Sequence, residues 1–460
     1  MRTTVIVGGG AAGAMLAIAL AQRIDGARHK VVLVERSDTW GRGAAYGRHA
    51  FPYLLNATVG AMSIAPDDAL HFLRFMQARE PGTQAGDFVT REAFGDYVEA
   101  SLRQVTGRAD APVILRKGEV TDLQPLGAAG WDVRCADGAS LHAHHIVLAT
   151  GHPATALATA GGGGADTLWS DPMDPAHHDA TARNVFILGS GLTMVDTVCA
   201  LIARSSDRRI DVLSRRGLLP LDQSDLAPVA HGDPRLAAAL NGGGSLREVV
   251  RTAVDVGRTV AHAGGDWRDV VTRIRRSVPE IWPRLSPADR RRFLRHVRPY
   301  WDIHRHRCPA RVVAQLESLK KRGILRIHAG RLDHLRRAVD GIEVGFRPRG
   351  SGGIETLRVD RAFNCTGPDY DLARVGGALW RSLLTRGLVA QDTLGLGIDT
   401  DGDARVLSAD GSAVPNLYCF GPLRRARLWE ATAISELREQ AAELSRHLLS
   451  HEGTIPLAAG

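Results

Sequence analysis

The stretch Thr4-Val-Ile-Val-Gly-Gly-Gly-Ala-Ala-Gly-Ala-Met-Leu-Ala-Ile-Ala-Leu20 decides how the chain is read. A β-branched run ends at Val7, glycines stand at Gly8, Gly10 and Gly13, and good helix formers follow. Gly8 suits the tight turn out of a strand, Gly10 lets the backbone approach a pyrophosphate, and Gly13 lets helix and strand pack closely. With Ala11 and Ala12 they form a helix N-terminus whose N–H groups and positive dipole end attract phosphates. Lys30-Val-Val-Leu-Val-Glu35 reads as a second buried parallel strand ending in an acid. Glu35 lies about 20 residues past the last glycine, where a carboxylate accepts the ribose hydroxyls of an adenine dinucleotide, and Arg36 follows it. Strand, turn, helix, strand and acid in this order read as a dinucleotide-binding unit.

At 460 residues the chain has room for two or three domains with cores of their own. The first strand starts next to Met1, which leaves no space for a signal peptide. No apolar run reaches the ~20 residues of a membrane span, so the expected place is the cytoplasm. Five cysteines (Cys135, Cys199, Cys308, Cys365 and Cys419) are scattered without a CxxC pair or a metal-ligand spacing. That excludes a dithiol reductase and points to no metal. The net charge of +8 is concentrated between Arg247 and Arg311, where basic residues outnumber acidic ones roughly two to one. No basic groove with interleaved aromatics accompanies it, so nucleic acid is not expected. A solvated arginine-rich helical surface, or an anionic substrate or partner, remains open.

Further along, Gly41-Arg-Gly-Ala-Ala-Tyr-Gly47 is a glycine-rich loop in which Gly43 and Tyr46 are candidate cofactor contacts. Pro66-Asp-Asp68 is expected to open an amphipathic helix, and Thr90 to cap another that runs to about Leu102. Gly118 to Asp122, which includes the candidate contact Val120, and Trp131 to Cys135 read as hairpin strands, with Asp137-Gly138 as a turn. His145-Ile-Val-Leu-Ala-Thr-Gly151 returns to the parallel sheet, and Thr150 and Gly151 close the first nucleotide site. Gly161 to Gly164 reads as a flexible connector.

Asn184-Val-Phe-Ile-Leu-Gly-Ser-Gly-Leu-Thr-Met-Val-Asp196 repeats strand, glycine turn and helix. Gly189, Gly191, Leu192 and Thr193 form its phosphate-facing turn, and Met194 stands where the first unit has Gly13. The next strand ends in Ser214-Arg215-Arg216 where the first unit has Glu35. Loss of the acid and gain of arginines suits a 2′-phosphate, hence NADPH over NADH. Leu246 to about Gly323 reads as helical, punctuated by Pro279, Pro283, Pro287 and Pro299. Within it, Tyr300-Trp-Asp-Ile-His-Arg-His-Arg307 leaves a structural role or a substrate contact open for His304 and His306, since residues two apart do not share a helix face.

Ile324 to Ala329 and Gly341 to Phe346 are expected to be strands that lead back into the first domain. Arg361-Ala-Phe-Asn-Cys-Thr-Gly-Pro-Asp369 echoes Ala149-Thr150-Gly151, which makes Thr366 and Gly367 candidate contacts. Asn416-Leu-Tyr-Cys-Phe-Gly-Pro422 is a last strand, with Gly421 and Pro422 facing the cofactor. Trp429 and Glu430 are expected at the start of a final helix that runs to about Leu449. The reading is an α/β protein with two Rossmann-like domains, the second inserted in the first. Residues 1–165 and 324–460 make the first dinucleotide-binding domain, and residues 182–323 the NADP-binding domain with a helical insert at about 240–315.

Beyond this plan, Gly41–Gly47, Leu54–Ser63, Pro66–Leu73, Gly189–Asp196, Leu213–Pro220, Trp301–Arg307 and Leu428–Glu436 resemble a bacterial family of FAD/NAD(P)-binding oxidoreductases along nearly the whole chain. More distantly the layout is similar to flavin-containing and N-hydroxylating monooxygenases, although their FxGxxxHxxxW fingerprint is absent. The resemblance implies FAD in the first site and NADPH in the second. It further implies hydroxylation of a small organic substrate, with an amine nitrogen as the favoured position, through a flavin C4a-oxygen adduct supported by Asn56. Two alternatives stay open: an NADPH-dependent reductase or dehydrogenase without oxygen insertion, and a flavin-binding scaffold that docks an acidic partner through Arg247–Arg311.

Overall fold

Val5, Ile6 and Val7 are fully or almost fully buried, as is nearly every residue of the helix that follows; a helix apolar on all sides belongs inside a domain. In the computed structural model this strand and helix open the chain. The structure describes residues 1–26, 28–107, 111–153, 155, 168–223 and 233–450; the glycine run 161–164 lies outside them.

The early elements are β1 (Arg2–Val7), α1 (Ala11–Ala21), β2 (His29–Glu35), α2 (His71–Arg79), α3 (Arg91–Thr106) and β3 (Val113–Lys117). Then come β4 (Val120–Pro125), β5 (Trp131–Cys135), β6 (Ser140–Ala143) and β7 (His145–Leu148). The middle of the chain forms β8 (Trp169–Ser170), β9 (Asn184–Leu188), α4 (Leu192–Arg204), β10 (Arg209–Ser214) and β11 (Asp222–Gln223). A helical stretch follows as α5 (Pro234–Asn241), α6 (Leu246–His262), α7 (Arg268–Arg284), α8 (Pro287–Arg292) and α9 (Arg298–Arg305). After it come β12 (Cys308–Pro309), α10 (Ala310–Lys321), β13 (Leu325–Ala338), β14 (Gly341–Pro348), β15 (Glu355–Val359) and β16 (Arg361–Asn364). The chain closes with α11 (Leu372–Val375), α12 (Ala378–Thr385), β17 (Arg405–Leu407), β18 (Ala413–Cys419) and α13 (Ile434–Ser450).

These elements build two compact units, one of Met1–Arg48, Thr58–Ala154 and Asp369–Gly460, the other of His49–Ala57 and Thr155–Pro368. The first holds a sheet of order β17-β18-β7-β1-β2-β3, parallel except for β17, and an antiparallel sheet β4-β5-β6. Its parallel strands are buried on both faces: Val5, Val7, Val34, Ile146, Leu148 and Leu417 meet Trp131, Val133, Trp380 and Leu383 in one core. The second unit repeats the parallel part as β8-β16-β9-β10-β13, with β14 and β15 added antiparallel at one edge. Both units are therefore Rossmann-like α/β sheets.

Several local expectations change. β13 pairs in parallel with β10 from Ile210↔Leu325 to Ser214↔Ala329, and β16 pairs with β9, so residues 324–368 stay in the second unit and the return comes at Asp369. The helix foreseen at Pro66 starts at His71; Asp68 instead takes the Leu70 amide (3.2 Å), a local bond that competes with helix formation. α3 does start at the Thr90 cap, which accepts from the Ala93 amide at 3.2 Å, and it runs on to Thr106. The turn Asp137-Gly138 joins β5 to β6, so the hairpin is a three-stranded sheet. Pro279 and Pro283 lie inside α7 and do not end it; Arg284 and Arg290 donate to the carbonyls of Glu280, Trp282 and Pro283 at 2.8, 3.2 and 3.0 Å. The final helix begins at Ile434, after Trp429 and Glu430.

Candidate functional site: two dinucleotide cradles

In the first unit the turn after β1 leaves no room for side chains. Gly8 has φ +109°, and its amide donates to Val34 O at 2.8 Å; a Cβ there would strike the Ala149 carbonyl. A Cβ at Gly13 would overlap the Gly8 carbonyl oxygen, so the first turn of α1 rides directly on the strand end. Gly10 is the N-cap of α1 and has no side chain to take its free N–H groups. Glu35 Oε2 accepts from the Gly9 amide at 2.7 Å and Oε1 from the Ser37 amide at 3.0 Å. This fixes the carboxylate beside the turn, with Arg36 exposed next to it.

Around this turn the structure gathers the other candidates of the first unit. Gly43 faces Gly10, whose Cβ would stand 3.4 Å from the Gly43 Cα. Gly421, at φ +92°, would carry its Cβ 3.4 Å from Ala12 Cβ, so the end of β18 and the buried Pro422 lie beside the start of α1. Thr150 and Gly151 follow β7, whose neighbour Ala149 donates to Val7 O at 2.8 Å. Val120, 7% exposed, follows β3, and the intervening Gly118 amide donates to Glu35 O at 2.9 Å. Trp429 and Glu430 are buried, and the Arg425 guanidinium lies 3.9 Å over the Trp429 ring.

Two anchors in this unit carry no obvious sequence signal. Arg42, buried in the loop of Gly43 and half-buried Tyr46, bonds Glu99 at 2.8 Å and also Asp96, both on α3. Gly95 makes the approach possible, since a Cβ there would overlap the Tyr46 carbonyl and crowd Arg42. Burial works against the Asp96 charge, but the hydrogen bonds from Arg42 and Arg79 and their charges hold its pKa below the ordinary value. The second anchor is Tyr370, whose hydroxyl is 2.8 Å from His152 Nδ1, one residue beyond Gly151.

The second unit repeats the strand, the turn and the helix start, with Ser190 in place of Gly9 and Met194 in place of Gly13. Gly189 has φ +102°, donates to Leu213 O at 2.8 Å, and would strike the Cys365 carbonyl with a Cβ. Cys365 donates to Leu188 O at 2.7 Å, as Ala149 does to Val7. Thr366 and Gly367 (φ +87°) are thus the counterparts of Thr150 and Gly151 (φ +74°), and they belong to the second cradle, not to the first as the sequence echo suggested. Gly191 caps α4, and Leu192 and Thr193 form its partly exposed first turn. Met194 replaces Gly13 and is fully buried in the core with Val185, Ile187 and Val198.

The register Leu188↔Leu213 places Ser214 where Glu35 stands in the first unit. Ser214 Oγ accepts from the Gly217 amide at 3.0 Å and tightens the turn that presents the two arginines. Arg216 donates to Tyr300 Oη at 3.2 Å and lies 5.1 Å over its ring. Arg215 reaches solvent, yet the chain packed around it, then the charges of Arg298 and Arg216, pull its pKa down. Asp302, paired with Arg298 at 3.3 Å, offsets this crowding only in part, and a net excess of like charge is an anion-receiving arrangement. His304 donates to Tyr300 O at 2.7 Å and packs edge-on to Trp267 (5.0 Å).

Asn56 falls in His49–Ala57, which packs with the second unit between buried Tyr53 and Leu55 and Val59 beyond. Its partly exposed carboxamide makes no hydrogen bond among the described residues. The five cysteines are free thiols; burial pushes Cys199, Cys365 and Cys419 up to about 12 and Cys308 to about 11. No helix among the described residues is long and apolar enough to cross a membrane.

Known proteins share this architecture. Residues 5–153 match the family model described as FAD-NAD(P)-binding. The tRNA uridine 5-carboxymethylaminomethyl modification enzyme MnmG of Deinococcus radiodurans is 28% identical over 154 residues, which are 32% of this chain and 24% of that protein. The match thus spans about a quarter of that relative's length. The ornithine N-hydroxylase KtzI of Kutzneria sp. 744, with reduced FAD, NADP+ and L-ornithine, superposes with a TM-score of 0.63 at 16% identity, over 98% of this chain and 100% of that one. DfoA, the FAD-bound cadaverine monooxygenase of Erwinia amylovora, gives 0.67 at 12% identity over 98% and 94%. Thioredoxin reductase of T. acidophilum gives 0.55 at 13% identity over 99% and 100%. At these identities the likeness is one of fold.

Proposed function

We propose that this chain is an FAD- and NADPH-dependent monooxygenase that hydroxylates a small amine at nitrogen. The observation that carries the reading is the pair of equivalent cradles, one ending its second strand in Glu35 and the other in Ser214-Arg215-Arg216. A carboxylate suits the free ribose hydroxyls of FAD, whereas arginines suit the 2′-phosphate of NADPH. The residues fit both groups: Gly8, Gly13 and Gly189 let the turns close tightly on neighbouring carbonyls, and Gly10 and Gly191 leave the helix N-termini without a side-chain cap, open to a pyrophosphate. Gly8, Gly10, Gly13, Glu35, Gly43 and Gly421 would hold FAD; Gly189, Gly191, Thr193, Arg215 and Arg216 would hold NADPH.

When bound, FAD supplies the redox and oxygen chemistry that no side-chain set of this chain provides. The N-terminus of α1 would neutralise pyrophosphate charge, and Glu35, held in place by the Gly9 amide, would accept from the ribose hydroxyls. Asn56, with an uncommitted carboxamide, is the donor that would steady charge in the reacting region. The fold likeness extends both to N-hydroxylating monooxygenases and to thioredoxin reductase. The thiols separate the two: no two cysteines are bonded, and burial keeps four of them protonated far above neutral pH, the opposite of a redox-active pair.

The test is turnover of the FAD-loaded chain with NADPH and a panel of diamines and amino acids, following NADPH loss, oxygen uptake and product mass together. One amine gaining one oxygen atom per NADPH consumed supports the reading, with Asn56→Ala diverting the flux to hydrogen peroxide. Peroxide alone with every amine moves the chain to the reductase class. No NADPH oxidation at all leaves the flavin-binding scaffold, with its basic Arg247–Arg311 face for an acidic partner.

A further inference from the structure

The helices α5, α6 and α7 carry a core of their own, formed by Leu236, Leu240, Val256, Val260 and Val270. A cavity of about 420 Å³ opens between α5 and α7, away from both glycine turns in sequence. Leu236 and Leu240 form its apolar side; Asp269, Arg273 and Arg276 of α7 contribute charges, beside Asp233, whose carboxylate is already paired with Arg235.

Asp269 is only 4% exposed, and its Oδ2 is sealed from solvent without a hydrogen-bond partner. Among the described residues the carboxylate takes no ion pair or side-chain hydrogen bond. Its place in the first turn of α7 favours a negative charge, but the helix end does not replace a partner. Arg273 stands four residues on, where Asp and Arg pair readily on a helix. Yet neither Arg273 nor Arg276 forms an ion pair among the described residues. The cavity therefore presents one buried, unpartnered acceptor and two cationic side chains, half-buried Arg273 and exposed Arg276, on one face of one helix, beside an aliphatic wall. Along α7 the acid and the first arginine are about 6 Å apart in rise, a gap that the adjacent ammonium and carboxylate of one α-amino acid bridge with a hydrogen bond at each end.

We propose that this cavity binds a free α-amino acid with an aliphatic side chain, its ammonium on Asp269, its carboxylate on Arg273 and Arg276, and its side chain against Leu236 and Leu240. The site shares no lining residue with either nucleotide cradle and does not depend on the oxygen chemistry proposed above. It makes the helical insert a ligand-sensing or ligand-holding element.

Isothermal titration of the FAD-loaded full chain with L-leucine tests this, against isopentylamine, which lacks the carboxylate, and 4-methylpentanoate, which lacks the ammonium. L-leucine is expected to saturate one site per chain, with each single-charge probe at least about tenfold weaker. Asp269→Asn should weaken L-leucine at least about tenfold while leaving 4-methylpentanoate unchanged; Arg273→Met should do the reverse, weakening 4-methylpentanoate and leaving isopentylamine unchanged. Flavin absorbance and melting temperature report whether each variant is folded, and the arginine variant tests the site should the aspartate variant fail to fold. No heat with L-leucine up to about 10 mM overturns the proposal. So does isopentylamine binding as tightly as L-leucine, or binding indifferent to both substitutions.

Discussion

Gly13→Ala is expected to damage the first cradle even though alanine is the better helix former. In a helix interior the change alone would gain about 1 kcal/mol. Here the added methyl would overlap the carbonyl oxygen of Gly8, a backbone atom that cannot rotate away because the Gly8 amide is tied to Val34 O at 2.8 Å. Helix α1 must lift off β1, and α1 is buried on all sides against a packed interior, so the shift spreads to its neighbours. Overpacking of this kind costs about 1–3 kcal/mol, more where backbone must move. A net loss of about 1–2 kcal/mol corresponds to a fall of about 2–8 °C in melting temperature at this unit size. FAD retention should fall at least about tenfold, since the displaced N-terminus is the pyrophosphate site. Differential scanning fluorimetry on flavin emission and a filter-binding measurement of FAD affinity read the two effects. Gly191→Ala is the control, because nothing lies within 4 Å of its Cβ and its φ is −84°. If Gly13→Ala melts within about 1 °C of the parent and keeps its FAD, the close contact is not what shapes the cradle.

Met194→Gly should have the opposite character: it removes a fully buried side chain and adds helix entropy, for a loss of about 3–5 kcal/mol by chemical denaturation, so glycine is not interchangeable between the cradles. Arg215→Gln with Arg216→Gln should raise KM for NADPH by about tenfold to a hundredfold and leave NADH unchanged; equal losses for both nucleotides would remove the 2′-phosphate assignment. Asp96 has a folded pKa below its unfolded one, so its contribution is complete above about pH 4 and disappears as pH falls through the folded value. FAD release should therefore steepen below about pH 4, and Arg42→Met should release FAD already at neutral pH, as followed by flavin fluorescence. Ellman's reagent at pH 8 should find no fast thiol among Cys199, Cys308, Cys365 and Cys419 in the native chain and all of them after denaturation; a rapid native pair would revive a dithiol mechanism.

The two cradles were legible because their demands are local: a bare turn needs glycine at fixed spacing, whatever else surrounds it. What failed was the pairing of distant strands. Asn364-Cys365-Thr366-Gly367 looks like Ala149-Thr150-Gly151 because both follow the strand next to their own glycine turn, and sequence alone does not say which turn that is. The hydrogen bonds from Cys365 to Leu188 and from Ala149 to Val7 decide it. Trp429 read as a helix start because acid and apolar residues follow it, but a turn at Pro422–Ala426 and the Arg425 guanidinium on the Trp429 ring hold that stretch outside the helix. Arg42, Gly95 and Asp269 gave no signal at all. Their importance lies in partners about 50 residues away, or in the lack of any partner, and neither has a sequence period.

The internal repeat sharpens the functional argument beyond what either cradle offers alone. Four parallel strands recur in the same order, β7-β1-β2-β3 and β16-β9-β10-β13, Gly8 and Gly10 coincide with Gly189 and Gly191, and the carbonyls that Gly8 and Gly189 avoid coincide. Against that constant background, differences between the units report what each must hold. Gly13 against Met194 concerns helix packing and is answered inside each core. Glu35 and Ser214 stand partly exposed at the strand end, outside both cores. There, one unit fixes a carboxylate with a backbone amide, and the other fixes a serine that tightens the turn beneath two arginines. A purely structural turn has no reason to reverse its charge between two copies of one fold. Two different ligands, one with free ribose hydroxyls and one with an added phosphate, supply that reason.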